Sequence, residues 1–189
     1  QRVRSWWVMA ALFSVAILLN HTITLLFMAL ICFLALREFL AIAPTRQIDR
    51  HILWWAYLAI PIQFFWISQD AQGMFLIFIP VYMFLFLALH MVLDGETKGF
   101  LNATSSLFWG LMITVFSLSH IAYLLTAPLY DASGAGGVGL VLYLVFLTQF
   151  NDVCQYIFGK LFGKHPILPK VSPKKTWEGF IGGLLTTTL

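Results

Sequence analysis

Seven stretches of the chain are apolar over lengths that match or approach the thickness of a lipid bilayer. A helix that crosses the hydrocarbon core needs roughly 20 mostly apolar residues, because the core is about 30 Å thick and each residue rises 1.5 Å. With 60% hydrophobic and 10% charged residues, the 189-residue chain lacks the polar side chains of a water-soluble surface. The sequence therefore predicts an all-α, polytopic transmembrane helical bundle of about seven spans, at residues 6–19, 22–43, 52–68, 74–93, 106–127, 137–159 and 179–189.

No repeat, low-complexity tract or soluble domain separates these spans, so we expect residues 1–189 to form one integral membrane domain. The chain starts at Gln1 and stops at Leu189 within an apolar run, and we expect it to be a piece of a longer protein, incomplete at both ends. Its two cysteines, Cys32 and Cys154, lie in apolar runs. They are predicted to be buried hydrophobic side chains rather than a disulfide or a metal site.

The distribution of lysine and arginine predicts which loops face the cytoplasm. If the loops alternate across the membrane, the segments 1–5, 44–51, 94–105 and 160–178 lie on one side. Every lysine and arginine except Arg37, which is inside a span, falls on that side, and the opposite loops have none. By the positive-inside rule, the basic side is cytoplasmic. A re-entrant hairpin formed by the first two runs would leave the later loops where they are.

The sixth span carries a stripe of polar side chains. Thr148, Asp152, Gln155, Tyr156 and Gly159 share one face at helical spacing. A carboxylate inside a span costs on the order of 2.5–3.5 kcal/mol on insertion scales, so it normally faces a cavity, a partner or a cation. The alternative is that the Asp152 side chain reaches the nearby cytoplasmic interface, and the spacing leaves both interpretations open.

A basic loop follows this span directly. Residues 160–175 contain five lysines and His165 but no acidic residue. Such a loop offers a positive field to an anionic ligand, and it equally suits an anchor that binds anionic lipid. Charge by itself does not distinguish the two interpretations.

The end of the loop predicts the start of the seventh span. Ser172 is a favoured N-cap and Pro173 a favoured first helical residue, so we expect the helix to begin there. Its open N–H groups would then lie beside Lys174, Lys175 and the Thr176 hydroxyl, as in a phosphate site. Glu178 follows two residues after Thr176. It could belong to the shell of a metal ion or orient a lysine, or it could form a plain salt bridge, and the sequence leaves these roles open.

From Asn151 to Gly183 the chain resembles the phosphatidate cytidylyltransferases, also called CDP-diacylglycerol synthases. In that family an Asp and a Tyr precede Gly-Lys-x-x-Gly-Lys, and Pro-Lys-x-Ser-Pro-x-Lys-Thr-x-Glu-Gly follows. The preceding spans are similar to the family only in hydropathy and length. The matching residues are Asp152, Tyr156, Gly159, Lys160, Gly163, Lys164, Pro169, Lys170, Ser172, Pro173, Lys175, Thr176, Glu178 and Gly179.

The chain departs from the family pattern in two places. Val153-Cys154-Gln155 stands where the family has small residues, and the polar Gln155 indicates a divergent bacterial paralogue with another lipid acceptor. The family's second signature, a Lys-Asp pair, a His-Gly-Gly and an Asp-Arg-x-Asp, supplies much of the metal site and would lie beyond Leu189. We therefore expect a C-terminally truncated chain whose residues 1–189 are inactive by themselves.

The resemblance implies a nucleotidyltransferase of phospholipid biosynthesis, a multi-pass protein of the bacterial inner membrane, which makes CDP-diacylglycerol from phosphatidate and CTP and releases pyrophosphate. It implies Mg²⁺ as the cofactor. The implied partners are CTP, phosphatidate or a related lipid phosphate, and membrane lipids, but no nucleic acid. A homodimer is possible under this resemblance. Residues 160–178 become the cytoplasmic nucleotide-binding loop. Asp152 is assigned to magnesium, and Asp152 and Lys175 are the expected catalytic residues. The expected nucleotide and phosphate contacts are Lys160, Lys164, Lys170, Ser172, Lys174, Lys175, Thr176 and Glu178.

Three rival hypotheses compete with this function. A CTP-dependent lipid kinase would employ a similar lysine loop but transfer the γ-phosphate. A non-catalytic membrane scaffold or inactive paralogue would retain the loop without turnover. His120 with Ser117 in the fifth span would suit the proton relay of a transporter, although a lone histidine within a bundle is more often a satisfied packing residue.

Overall fold

The computed structural model describes residues 8, 11, 13–16, 20–43, 50–93, 95, 98–126, 134 and 136–188. Most of these residues are helical. Helices α1 (His21–Ile42) and α2 (Arg50–Ser68) are followed by α3, which consists of Gln72–Ile77, a π-helical segment Phe78–Met83 and Phe84–Leu93. Helix α4 likewise consists of Phe100–Leu111, a π-helical segment Met112–Ser117 and Leu118–Thr126. The remaining elements are α5 (Gly136–Phe162), β1 (Pro166–Leu168), β2 (Ser172–Thr176) and α6 (Trp177–Thr188).

Five helices in the described part of the chain are long and apolar enough to cross a membrane, which makes this a polytopic membrane protein. The prediction of about seven spans is not confirmed. Most of the run 6–19 lies outside the described residues, and the 12 residues of α6 rise about 18 Å, less than the core thickness of about 30 Å. The five are His21–Ile42, His51–Ser68, Gln72–Leu93, Phe100–Leu125 and Gly136–Phe162.

Helices α1 to α4 belong to the first of two compact units, Gln1–Val138, and pack around one apolar core. Met28, Cys32 and Leu36 follow one another at intervals of four residues along α1, and all three are buried against the neighbouring helices. Both cysteines are free and buried, as predicted. The core of this unit is therefore built from one buried stripe on each span, while many other apolar side chains face outward, as the lipid environment requires.

Several polar side chains of the first unit donate hydrogen bonds to backbone carbonyl groups within it. The fully buried Gln63 donates to the carbonyl oxygen of Phe75, with 3.1 Å between Nε2 and O. Nδ1–H of His120 donates to the carbonyl oxygen of Phe116 at 2.7 Å, and the Ser117 hydroxyl donates to that of Met112 at 2.9 Å. His120 and Ser117 thus bond to their own helix and not to each other, which favours packing roles over a proton relay.

The second unit, Gly139–Leu189, contains most of α5, the β1–β2 hairpin and α6. Glycines allow α5 and α6 to approach closely. A Cβ atom on Gly179 would lie 2.7 Å from the carbonyl oxygen of Gln155 and 3.0 Å from the Cα atom of Gly159. A Cβ on Gly183 would collide with Cγ of Gln155. Small residues spaced by four are a common means of close helix packing in membranes.

The structure corrects the predicted start of the last helix. Residues Ser172–Thr176 form a strand that pairs antiparallel with β1, in the register Pro166↔Thr176 and Leu168↔Ser172. Helix α6 begins only at Trp177, so the N-cap prediction for Ser172 is wrong. Pro173 lacks an N–H group, yet it is tolerated in the edge strand of a two-stranded hairpin. The small sheet also means that the fold is not purely α-helical.

Candidate functional site

An open pocket of about 1000 Å³ lies within the second unit. Three consecutive parts of the chain form its walls: the last turns of α5, the hairpin, and the first turn of α6. The hairpin returns the chain toward α5, so that side chains separated by more than twenty residues face the same space. The lining residues are Asp152, Gln155, Tyr156, Gly159 and Lys160 from α5, Ile167 and Ser172–Thr176 from the hairpin, and Gly179 and Phe180 from α6.

The α5 wall of the pocket follows from helical periodicity. Asp152, Tyr156 and Lys160 are four residues apart, so they project from one face. Four of the five residues in the polar stripe line the pocket. Thr148 does not, and its hydroxyl donates to the carbonyl oxygens of Leu144 and Val145 in its own helix. The polar residues near the C-terminal end of α5 therefore face an open pocket, while the Thr148 hydroxyl is hydrogen-bonded to the backbone of its own helix.

The pocket is strongly basic. It contains Lys160, Lys174 and Lys175 and a single acidic side chain, Asp152. Throughout the described ranges, none of these three lysines is ion-paired with an acid. Unneutralised ammonium groups that share one cavity attract anions, and phosphate groups offer several acceptor oxygens for them. The arrangement therefore suits a polyphosphate ligand.

Two of the lysines expected to bind phosphate, Lys164 and Lys170, lie outside the pocket wall. Lys164 follows α5 and Lys170 occupies the turn between the strands, and both are exposed. Of the five lysines in the loop, Lys160 on α5 and Lys174 and Lys175 on β2 therefore line the pocket, and the other two do not. Sequence spacing did not separate these two groups, because the strand pairing that separates them is not local.

Glu178, the third expected contact outside the pocket wall, holds the base of the hairpin together. One carboxylate oxygen accepts the backbone N–H groups of Lys164 and His165, at 3.1 and 3.2 Å. The other oxygen accepts Nδ1–H of the His165 ring at 2.6 Å. Glu178 is therefore bound to the loop rather than to a lysine side chain. The sequence offered no signal for this histidine partner.

Hydrogen bonding changes the acidity of Glu178. The His165 side chain is the largest cause, and backbone N–H groups add to it, so the pKa of the Glu178 carboxyl falls from an ordinary value of 4.5 to about 2. The carboxylate consequently stays ionised at neutral pH. A group that holds no proton there and is already bound to three donors suits a positioning role better than proton transfer.

Thr176 joins the three parts of the site. Its hydroxyl accepts the N–H of Gly179 at 3.3 Å and so caps α6. A Cβ atom on Gly163 would lie 2.7 Å from the Thr176 hydroxyl oxygen, so only glycine leaves room for this cap. The N–H of Trp177 donates to the carbonyl oxygen of His165 at 3.0 Å. Two of the N–H groups at the start of α6 are thus already bound to protein acceptors.

The described residues contain no cluster of three or more His, Cys, Asp or Glu side chains that would hold a metal ion by themselves. Asp152 is exposed in the pocket and has no ion-pair partner within the described ranges. Mg²⁺ is commonly held by one or two carboxylates together with substrate phosphates and water. Asp152 therefore fits a magnesium ion that is bound jointly with a nucleotide.

A family model, described as the cytidylyltransferase family, matches residues 1–189. The chain belongs to the cytidylyltransferase family. The resemblance inferred from residues 151–183 is thereby confirmed and extends over the whole sequence. The pocket lies in the segment on which the resemblance rests most strongly.

Similar proteins include members with and without an assigned activity. The uncharacterized protein YnbB of Escherichia coli (strain K12) is 44% identical over 185 residues, which cover 98% of this chain and 60% of YnbB. The phosphatidate cytidylyltransferase of Staphylococcus haemolyticus is 39% identical over 79 residues, 41% of this chain and 30% of that enzyme. The phosphatidate cytidylyltransferase of Mycobacterium leprae is 37% identical over 87 residues, which cover 46% of this chain and 25% of that enzyme. The matches thus span 60% or less of each relative, and no solved structure matches the chain.

Proposed function

We propose that this chain provides the nucleotide site of an enzyme that transfers the cytidylyl group of CTP to phosphatidate or a related lipid phosphate. The products are CDP-diacylglycerol and pyrophosphate. The observation that carries the proposal is the pocket with three unpaired lysines and one carboxylate, at the end of a helix long enough to cross the membrane. The two similar phosphatidate cytidylyltransferases support the choice of lipid phosphate as acceptor.

The proposed reaction places modest demands on proton transfer. An oxygen of the lipid phosphate attacks the α-phosphorus of CTP, and the bond from that phosphorus to the bridging oxygen of pyrophosphate breaks. The second pKa of a phosphate monoester is about 6, so the nucleophile is largely ionised at neutral pH. A strong general base is therefore unnecessary, which agrees with a pocket whose charged side chains are lysines and one aspartate.

Charge neutralisation and alignment are the larger demands. Two phosphate-bearing substrates repel each other, and negative charge moves onto the leaving pyrophosphate. We assign phosphate contacts to Lys160, Lys174 and Lys175, with Lys175 as the proposed catalytic lysine. The hydroxyls of Ser172 and Thr176 also line the pocket and are proposed to orient the nucleotide phosphates. Mg²⁺, when held by Asp152 and phosphate oxygens, would supply further neutralisation.

The position of the pocket suits substrates from two phases. It adjoins the last turns of α5, a helix of 27 residues that is apolar enough to cross the membrane. We propose that the hairpin faces the cytoplasm, because the basic loops share that side under the positive-inside rule. CTP would then enter from water, and the phosphate of a lipid would approach from the headgroup layer of the same leaflet.

The test is transfer of radiolabel by the full natural protein in vesicles that contain phosphatidate and a lipid alcohol such as diacylglycerol, with Mg²⁺. We expect label from α-labelled CTP to enter lipid, and label from γ-labelled CTP to leave as pyrophosphate. Label that enters lipid only from γ-labelled CTP would establish a lipid kinase instead. CTP binding without transfer of either label to phosphatidate or to any other lipid phosphate supplied would indicate a non-catalytic paralogue.

A further inference from the structure

The hairpin has an outer face that the proposed chemistry does not use. Along β1, Ile167 is half-buried and lines the pocket, whereas Pro166 and Leu168 are exposed and do not. This alternation is the normal consequence of the strand pleat. At the turn, Leu168 is 56% exposed and Val171 is 80% exposed. Two exposed apolar side chains that do not line the pocket thus stand at the tip of a short hairpin.

The same outer face carries positive charge. Lys164 and Lys170 are exposed and lie outside the pocket, and their side chains form no ion pair with a described acidic residue. The sequence contains no acidic residue from Lys160 through Trp177. Phe162, the last residue of α5, is also 58% exposed. Apolar side chains flanked by unpaired lysines are the composition that anionic lipid headgroups attract.

The hairpin lies close to the membrane-crossing helix α5. Strand β2 lines the same pocket as Asp152, which lies ten residues, or about 15 Å, before the end of α5 at Phe162. The hairpin therefore folds back beside the last turns of the membrane-crossing helix instead of extending away from it. The hairpin thus starts at the end of a helix whose 27 residues rise about 40 Å, enough to reach the headgroup layer.

We propose that the hairpin tip, Leu168 to Val171, docks on the surface of an anionic membrane. Leu168 and Val171 enter the headgroup region, and Lys170, in the same turn, lies next to lipid phosphates. The docked hairpin holds the pocket at the height of lipid headgroups. This inference requires α5 to cross the membrane, but it does not depend on the chemical identity of the transferred group.

A fluorescent label at Val171→Cys in the full natural protein tests the docking. The protein is reconstituted in vesicles of phosphatidylcholine alone, and in vesicles where phosphatidylglycerol replaces part of it. We expect blue-shifted emission and loss of acrylamide quenching with phosphatidylglycerol. Lys170→Glu should lower the ratio of docked to undocked hairpin by roughly 30-fold, the effect of reversing one charge at such a surface. The buried Cys32 and Cys154 should label poorly.

Gln69→Cys, in the exposed turn between α2 and α3, is the matched control, and Lys170→Glu should leave its emission unchanged. Acrylamide access at Val171 that is equal with and without phosphatidylglycerol would overturn the proposal. An equal blue shift in phosphatidylcholine alone would also overturn it, because the surroundings of the tip would then not depend on anionic lipid. Leu168→Cys provides a second labelling position if the first variant does not fold.

Discussion

Glu178 and His165 are joined by a hydrogen bond of 2.6 Å between Oε1 and Nδ1, although thirteen residues separate them along the chain. His165 stands just before β1 and Glu178 just after β2, so the bond closes the base of the hairpin. The second carboxylate oxygen accepts hydrogen bonds from the backbone N–H groups of Lys164 and His165. This closure determines where the pocket lysines of β2 stand relative to α5.

Replacing Glu178 by alanine should open the base of the hairpin. All three hydrogen bonds to its carboxylate are lost, so we expect faster hydrogen exchange at the amides of Lys164 and His165 and weaker CTP binding. Glu178→Gln keeps an oxygen acceptor for the backbone donors and should show an intermediate effect. Hydrogen exchange followed by mass spectrometry measures the first change. Equal protection in the wild type and the alanine variant would show that the carboxylate does not hold the loop.

The same contact predicts a dependence on acid. The pKa of Glu178 in the folded protein, about 2, is below its ordinary value of 4.5. The contribution of a carboxylate whose pKa is lowered by folding is fully present above the ordinary value and is lost as pH falls toward the folded value. We therefore expect the hairpin base to stay closed above pH 4.5 and to loosen between 4.5 and about 2. Protease accessibility of the loop across this range, with Glu178→Gln for comparison, measures it.

Gly179→Ala should separate α5 from α6. The added Cβ would lie 2.7 Å from the carbonyl oxygen of Gln155, a backbone atom that cannot move alone. Overpacking of this kind typically costs about 1–3 kcal/mol, so we expect a lower midpoint of thermal unfolding and weaker CTP binding. Gly73→Ala in α3 is the matched control, since its Cβ would meet nothing within 4 Å. Similar midpoints for the two variants would contradict the close packing.

Asp152→Asn should abolish CTP- and Mg²⁺-dependent lipid transfer in the full natural protein while membrane insertion persists. The substitution removes the one carboxylate of the pocket but keeps its size. Asp70→Asn is the control, because Asp70 lies in a turn with φ of 51° that asparagine also tolerates. Transfer rates are measured with α-labelled CTP. Normal transfer by folded Asp152→Asn would remove Asp152 from the site.

Labelling of introduced cysteines tests the predicted sidedness. Lys164→Cys should react with a membrane-impermeant reagent only from the cytoplasmic side, and Ser133→Cys only from the other side. Ser133 lies outside the described residues, and its position is predicted from the alternation of loops alone. Reaction of both from the same side would refute the topology.

The membrane-crossing helices could be predicted closely from the sequence. The predicted span 22–43 corresponds to the helix His21–Ile42, and the predicted span 52–68 corresponds to the helix Arg50–Ser68. Such agreement is expected because the length of an apolar run is a local property, and lipid offers the backbone no partner other than its own helix. The family could be predicted from the sequence for a related reason, because the motif residues follow one another along the chain in a fixed order. The stripe from Asp152 to Gly159 was likewise visible as helical spacing.

The tertiary structure decided how the basic segment is folded. Local rules favoured a helix start at Ser172, but backbone pairing with Pro166–Leu168 makes residues 172–176 a strand, and α6 begins at Trp177. That pairing directs Lys174 and Lys175 into the pocket and leaves Lys170 outside. The partner of Glu178 and the close approach of Gly179 to Gln155 also join residues distant in sequence. Such contacts depend on which backbone segments meet in space, and neither periodicity nor capping preference contains that information.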